Sequence, residues 1–190
     1  MFWSRHCVLM FVTLAAAGAC SPSPDARTAE GNQADSASPT QAIASPRALA
    51  AGNVSGVSVS VDYGRPSRRG RNIFGALVPW DRVWRTGANA ATTMTLDGPL
   101  ELGGRPLEAG SYTLYSVPSP SGWTLIVNGQ TGQWGTEYDQ SRDVLRVPLS
   151  LSRPAAEVDT FTIRVEDDGG EGRLVLVWDT LQGVTSLRRR

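Results

Sequence analysis

The chain has 190 residues, and its 18 basic and 18 acidic residues cancel to a formal net charge of zero, which argues against a nucleic-acid partner. All 18 basic residues are arginine, and the single histidine and both cysteines (His6, Cys7 and Cys20) lie within the first twenty residues. The remainder lacks the side chains of a Ser-His-Asp triad, a cysteine nucleophile, a Schiff-base lysine or an ordinary zinc site. We therefore expect no catalytic residue of these kinds, no metal site and no cofactor.

Residues 1–19 have the pattern of a secretory signal peptide. Arg5 makes the start positive, and residues 8–17 form a mostly apolar run that is too short for a hydrocarbon core of about 30 Å. The run ends in Ala17-Gly18-Ala19-Cys20, which resembles the bacterial lipobox, although Ala17 stands where leucine is usual. We predict cleavage before Cys20 and lipidation of Cys20. The alternative is a plain signal peptide that is cut near Ala19.

A lipidated Cys20 would anchor the protein to a membrane of the bacterial cell envelope. Ser21 follows this cysteine, and in enteric bacteria a residue other than Asp at that position favours the outer membrane. We therefore expect an exported protein that is attached to the outer membrane and faces the periplasm.

Residues 20–52 are rich in Ala, Ser and Pro and contain no aromatic residue. They show neither the 3.6-residue period of a helix nor the two-residue period of a strand. Such a segment cannot bury enough apolar surface to offset the loss of chain entropy, which predicts a flexible tether.

Residues 53–187 have the pattern of an all-β domain. Apolar and polar residues alternate over residues 57–63, 112–116, 123–127 and 161–165, and residues 174–178 are apolar throughout, as in a strand that is buried on both faces. Gly103-Gly104 and residues 167–170 are typical of hairpin turns. About eight to ten short strands predict a single β-sandwich with a jelly-roll-like arrangement. Residues 188–190, all arginine, are predicted as a basic tail.

The segment of residues 63–93 is unlike the rest of the domain. It contains six arginines but only one acidic residue, Asp81. Two tryptophans, Trp80 and Trp84, lie among the arginines in the sequence. Arginine pairs with carboxylate or phosphate through a planar fork and also stacks on tryptophan. One interpretation is a pocket for an anionic or glycan ligand, and the other is a solvated basic loop in which arginine stacks on tryptophan. The six arginines are Arg65, Arg68, Arg69, Arg71, Arg82 and Arg85.

This segment resembles the signature of a bacterial family known as domain of unknown function 2911 (DUF2911). The resemblance extends over about residues 57–187 and departs at Trp80-Asp81, where the family often has Tyr-Gly. It implies an exported β-domain and no assigned activity. The matching residues are Tyr63, Arg65, Pro66, Ser67, Gly70, Arg71, Ile73, Phe74, Gly75, Leu77, Val78 and Pro79, then Val83, Trp84, Arg85, Thr86, Gly87, Ala88 and Asn89, and later Ala109, Gly110, Ser111, Tyr112, Leu114, Trp123, Asn128, Trp134, Gly135 and Tyr138.

The polar residues of this motif are costly to bury, so a purely structural role does not account for them easily. We therefore predict a ligand-binding set. The alternative is that Arg71 and Arg85 pair with Asp62, Asp139 or Asp143 and hold the loop against the sheet. The predicted set is Tyr63, Arg65, Arg71, Trp84, Arg85 and Asn89.

Three functions are compatible with the sequence. The first is a lipid-anchored, non-catalytic domain whose partner is a small anionic or glycan ligand or another envelope protein. The second is a purely structural envelope lipoprotein. The third is a hydrolase that uses two carboxylates, for which the sequence selects no particular pair. The available acids are Asp62, Glu101, Glu137, Asp139 and Asp143.

Overall fold

The structure is a computed structural model that describes residues 45–167, 169 and 171–190. The predicted signal peptide, Cys20 and the tether up to residue 44 lie outside these residues. No described residue belongs to a helix long and apolar enough to cross a membrane. The described elements are β1 (Arg47–Val54), β2 (Val57–Gly64), β3 (Thr92–Leu96), β4 (Leu100–Leu102), β5 (Arg105–Leu107), β6 (Gly110–Ser119), β7 (Gly122–Asn128), a 3-10 helix (Gln140–Arg142), β8 (Asp143–Ser152), β9 (Val158–Asp167), β10 (Gly172–Asp179) and β11 (Leu181–Arg189).

The all-β prediction is confirmed. The strands pair in the order β1-β2-β3-β6-β7-β8-β11-β10-β9, and the short hairpin of β4 and β5 attaches to β11. The terminal strands β1 and β9 meet so closely that a Cβ on Gly52 would lie 2.7 Å from the Cγ1 of Val165. The ladders therefore join the strands into one sheet that is nearly closed into a barrel, whereas the sequence had suggested a sandwich.

The interior of the barrel is filled by one face of each alternating strand. In β2, Val57, Val59 and Val61 are buried, while Ser58 and Asp62 are exposed between them. Residues 174–178 of β10 are buried throughout, as their apolar run predicts. The predicted Gly103-Gly104 turn is also confirmed, since both residues have positive φ (57° and 73°) between paired strands.

The predicted tether does not extend to residue 52. Strand β1 begins at Arg47 and pairs with β2 along its whole length, from Arg47 opposite Gly64 to Val54 opposite Val57. The side chains that turn inward include Ala48 and Ala50, and residue 52 is a glycine, so the strand carries almost no hydrophobic signal. The fold thus begins before residue 53.

The predicted basic tail is also part of the fold. Arg188 and Arg189 belong to β11 and pair with Glu101 and Leu100 of β4. The side chain of Arg190 contacts Glu108 through Nη1 and Oε1 at 2.8 Å. The last strand extends to Arg189 because its backbone pairs with β4. A run of three arginines in the sequence does not indicate such pairing.

The connection between β2 and β3, residues 65–91, covers one end of the barrel. Its first part is fixed to β9, because Phe161 N donates to Pro66 O at 2.9 Å and Arg68 N donates to Asp159 O at 2.7 Å. Its later part is fixed to β6, where Asp81 N donates to Pro118 O at 2.8 Å. Since β9 and β6 lie on opposite sides of the nearly closed sheet, the connection spans the barrel.

Candidate functional site

A cavity of about 600 Å³ lies against this connection. Its volume falls within the range of roughly 300 to 1,000 Å³ that is usual for small-molecule sites. Four of the six predicted ligand-binding residues line it: Arg71, Trp84, Arg85 and Asn89. The complete lining is Ser45, Pro66, Arg71, Leu77, Val78, Val83, Trp84, Arg85, Gly87, Ala88, Asn89, Tyr115, Gly135, Thr136, Tyr138 and Trp178.

Trp84 fixes the connection to both the sheet and the core. Its backbone forms a bridge with Ser116 of β6, with N to O distances of 2.7 and 2.9 Å. Its indole packs edge-on against Phe161 at 4.9 Å between ring centroids and stacks on Trp178 at 5.8 Å. One part of Trp84 therefore belongs to the core, while another part faces the cavity.

The turn that follows Arg85 is held by tight packing. Thr86 is fully buried in a left-handed conformation (φ 50°), and its carbonyl accepts a hydrogen bond from the Thr92 hydroxyl at 2.9 Å. A Cβ on Gly64 would lie 2.2 Å from the carbonyl oxygen of Ala88, so β2 approaches this turn more closely than any other residue type permits. This packing determines where the neighbouring Arg85 is held.

Arg85 is half-buried in the cavity wall, and its stem packs against Gly135, where an added Cβ would lie 2.8 Å from the Arg85 Cδ. Within the described part of the chain, its guanidinium has neither a hydrogen-bond partner nor an ion-pair partner. A partly desolvated cation without a protein partner is unfavourable, so this side chain is suited to an anion that is supplied from outside.

Arg71 is exposed and bonded only to the backbone. Its Nε donates to the carbonyl of Arg68 at 3.0 Å, and its Nη2 donates to the carbonyl of Ser67 at 2.7 Å. These bonds close the loop on itself and leave the positive charge without a carboxylate among the described residues. The alternative interpretation, in which Arg71 or Arg85 pairs with an acid, is therefore not observed among the described residues.

The three acids considered as their partners are engaged elsewhere. Asp62 pairs with Arg47 at 2.8 Å, and Asp143 pairs with Arg146 at 2.8 Å. Asp139 accepts from the backbone N of Ser141 at 2.9 Å, and its bonds to Ser141 lower the pKa of its carboxyl. Among the described residues no Asp or Glu lines the cavity, so this part of the lining carries two positive charges, those of Arg71 and Arg85, and no negative charge.

Two members of the predicted set do not line the cavity. The hydroxyl of Tyr63 accepts from the backbone N of Ile163 at 2.9 Å. Arg65 donates from Nη2 to the Thr162 hydroxyl at 2.9 Å and from Nε to the Phe161 carbonyl at 3.2 Å. Both side chains connect the end of β2 to β9.

Tyr115 and Tyr138 were not among the predicted site residues, although both line the cavity. The Tyr138 hydroxyl donates to Asp143 Oδ2 at 2.7 Å and accepts from Arg146 at 2.7 Å, and burial followed by the hydrogen bond to Asp143 raises its pKa to about 12. The Tyr115 hydroxyl donates to the carbonyl of Glu137 at 2.8 Å, and burial is the main cause that raises its pKa. Trp178, a third such residue, comes from the buried strand β10.

The described residues contain no group of three or more His, Cys, Asp or Glu side chains that could hold a metal ion. The described residues that line the cavity also do not include the two carboxylates that a glycosidase-type reaction needs. The chemistry that the cavity offers is instead cationic and aromatic.

Neither the curated proteins nor the solved structures include a significant match to this chain. Among protein families, the one described as "Protein of unknown function (DUF2911)" matches residues 45–186, about three quarters of the chain. The match begins just before β1 and ends within β11, so it spans the barrel and the connection that carries Trp84 and Arg85. The chain therefore belongs to the DUF2911 family.

Proposed function

We propose that the protein is a lipid-anchored, exported envelope protein whose β-domain binds a small anionic or glycan ligand without catalysing a reaction. The observation that carries the proposal is Arg85, a half-buried arginine that has no partner among the described residues and lies in a cavity whose described lining contains no carboxylate. A ligand anion would supply the missing partner through a charge-assisted hydrogen bond.

The binding function is tested by thermal unfolding in the presence of a panel of small anions and oligosaccharides. A ligand that binds only the folded protein stabilises it, by about 2.7 kcal/mol at a hundredfold excess over Kd. We expect at least one compound to raise the Tm of the wild type, and Arg85→Gln to abolish that rise. Arg82→Gln is the matched control, because Arg82 is an exposed arginine of the same connection that does not line the cavity.

A purely structural role makes the opposite prediction. In that case no compound shifts the Tm, and Arg85→Gln lowers the stability of the free protein because a structural contact is lost. This combination of results would contradict the binding function.

The lipid anchor is a separate part of the proposal and rests on Ala17-Gly18-Ala19-Cys20. We expect a labelled fatty acid to be incorporated into the wild type in bacteria but not into Cys20→Ser. Cys7→Ser is the matched control, since Cys7 would be removed with the signal peptide, and it should be labelled like the wild type. Fractionation of the labelled membranes then tests the outer-membrane location.

A further inference from the structure

The polar groups that line the cavity differ in how much of their hydrogen-bonding capacity is already used within the protein. The Tyr138 hydroxyl both donates and accepts within the protein, and so does the Tyr115 hydroxyl, which accepts from Gln133 Nε2 at 3.1 Å. The Asn89 amide donates to the carbonyl of Ser45 at 3.4 Å. The largest unused donor in the lining is therefore the guanidinium of Arg85.

The described lining offers few side-chain acceptors besides the tyrosine hydroxyls, namely the amide oxygen of Asn89 and the hydroxyls of Ser45 and Thr136. None of the described residues that line the cavity carries a carboxylate, so the hydroxyl groups of a sugar would find few strong acceptors for their protons. Each hydroxyl that is buried without a partner weakens binding, because its hydrogen bond to water is lost and not replaced. A glycan with several hydroxyl groups is thus a poor match to this lining.

The remaining wall is apolar and aromatic. Trp84 and the fully buried Trp178 stack on each other in this wall, and Leu77 and Val83 remain 45% and 41% exposed beside it. Exposed aliphatic side chains beside an aromatic surface favour a ligand that covers them with a flat apolar group.

From these three observations we infer that the ligand is a carboxylate carried on a flat, largely apolar body. The carboxylate pairs with the fork of Arg85, while the body lies against Trp84, Leu77 and Val83. Arg71 adds a second positive charge at the cavity and has one nitrogen, Nη1, that is not bonded within the described residues. This inference rests on the proposed binding function and narrows its ligand from anions or glycans to one chemical class.

The test measures binding of five probes to the full chain by isothermal titration calorimetry. The probes are 2-naphthoate, its neutral analogue naphthalene-2-methanol, acetate, inorganic phosphate and cellobiose. We expect 2-naphthoate to bind at least tenfold more tightly than each of the others. Naphthalene-2-methanol lacks the negative charge, and acetate and phosphate lack the aromatic ring system. Cellobiose lacks both the charge and the aromatic ring system.

Variants then locate the bound probe. Arg85→Gln should weaken 2-naphthoate by about tenfold to a hundredfold, the effect expected when a charge-assisted pair is lost, and should leave naphthalene-2-methanol unchanged. Arg85→Lys keeps the charge but not the planar fork and should fall between these two proteins. The control Arg82→Gln should bind like the wild type, and circular dichroism confirms that each variant is folded.

Two results would overturn the inference in different ways. If cellobiose or phosphate binds more tightly than 2-naphthoate and depends on Arg85, the ligand class is wrong while the binding function stands. If 2-naphthoate does not bind, or binds equally to Arg85→Gln, the assignment of the carboxylate to Arg85 is wrong. The broader panel of the thermal test then decides the binding function independently.

Discussion

Arg68 and Arg85 lie in the same connection between β2 and β3 but in opposite electrostatic surroundings. Arg68 contacts Glu157 and also lies 2.8 Å from Asp179, whose side chain is 16% exposed. These acids, together with Asp159, raise the pKa of Arg68, with the hydrogen bond to Glu157 as the largest cause. Among the described residues, Arg85 has no acid or carbonyl partner, and the cavity that it faces is lined by no carboxylate.

The comparison separates two uses of arginine that composition alone does not distinguish. A paired arginine holds the connection to the sheet, because its charge is already balanced inside the protein. An unpaired and partly buried arginine adds little to folding, and its charge remains available for a ligand. Five changes test these two arginines and the structure around them, from the largest expected effect to the smallest.

The most severe change removes most of β1, the strand that pairs with β2 just before the connection begins. A chain that begins at Asn53 lacks six of the eight paired residues of β1, from Arg47 to Gly52, and also loses the contact of Pro46 O with Arg65 N. At about 0.5 to 1.5 kcal/mol for each lost backbone bond, we expect a loss of at least about 3 kcal/mol. Urea unfolding measures it, with a chain that begins at Gln41 as the control. Equal stability of the two chains would show that β1 is dispensable.

Gly64→Ala tests the packing that places Arg85. The new Cβ would lie 2.2 Å from the carbonyl oxygen of Ala88, so the backbone of the turn must move. Overpacking of this kind usually costs about 1 to 3 kcal/mol. Gly122→Ala is the control, because its nearest neighbour would be the Ser119 hydroxyl at 3.7 Å. A Gly64→Ala protein with the midpoint of the wild type would contradict the close approach.

Arg68→Gln tests whether the ion pairs of Arg68 with Glu157 and Asp179 stabilise the fold. It leaves the carboxylate of Asp179 partly buried without its cation, so the Tm should fall clearly below that of the wild type. Arg82→Gln, at an exposed position of the same connection, should melt like the wild type. Calorimetry that finds both variants equally stable would mean that the ion pair contributes nothing.

Tyr138 provides a test that depends on pH. Its pKa in the folded protein, about 12, lies above the ordinary value of 10, so the folded state holds the phenol proton more tightly than the unfolded state. The resulting stability is fully present below pH 10 and is lost as the pH rises from 10 to 12. Urea midpoints of the wild type and Tyr138→Phe should therefore converge between pH 9 and pH 12. A constant difference over this range would argue against the shifted pKa.

The smallest effect is expected for Arg85→Gln in the free protein. Because Arg85 forms no hydrogen bond or ion pair with a described residue, the free energy of unfolding should change by less than about 0.5 kcal/mol. Chemical denaturation of the ligand-free protein measures the change. A loss of about 3 kcal/mol would instead reveal a structural role.

Most of the sheet could be predicted because its strands carry large apolar residues at every second position. Strand β1 could not, because Ala48, Ala50 and Gly52 give the same alternation without hydrophobic bulk. The boundary of the tether was misplaced for this physical reason.

The candidate site was predictable only in part. Trp84, Arg85 and Asn89 are close in sequence, so one turn carries all three to the cavity. Tyr115 and Trp178 reach the same cavity from β6 and β10, and only the register of the ladders brings them there. The hydrogen bonds of Tyr63 and Arg65 to β9 could not be predicted either, because Phe161, Thr162 and Ile163 lie about 100 residues away in the sequence.

The placement of Tyr63 and Arg65 has a consequence for solubility. Strand β9 ends the sheet, and the unpaired N–H and C=O groups of a terminal strand can recruit a strand from another molecule. Here the Tyr63 hydroxyl accepts from Ile163 N, and the Arg65 guanidinium donates to Phe161 O. These backbone groups are occupied by side chains from the other end of the sheet, which protects that stretch of β9 against edge-to-edge aggregation.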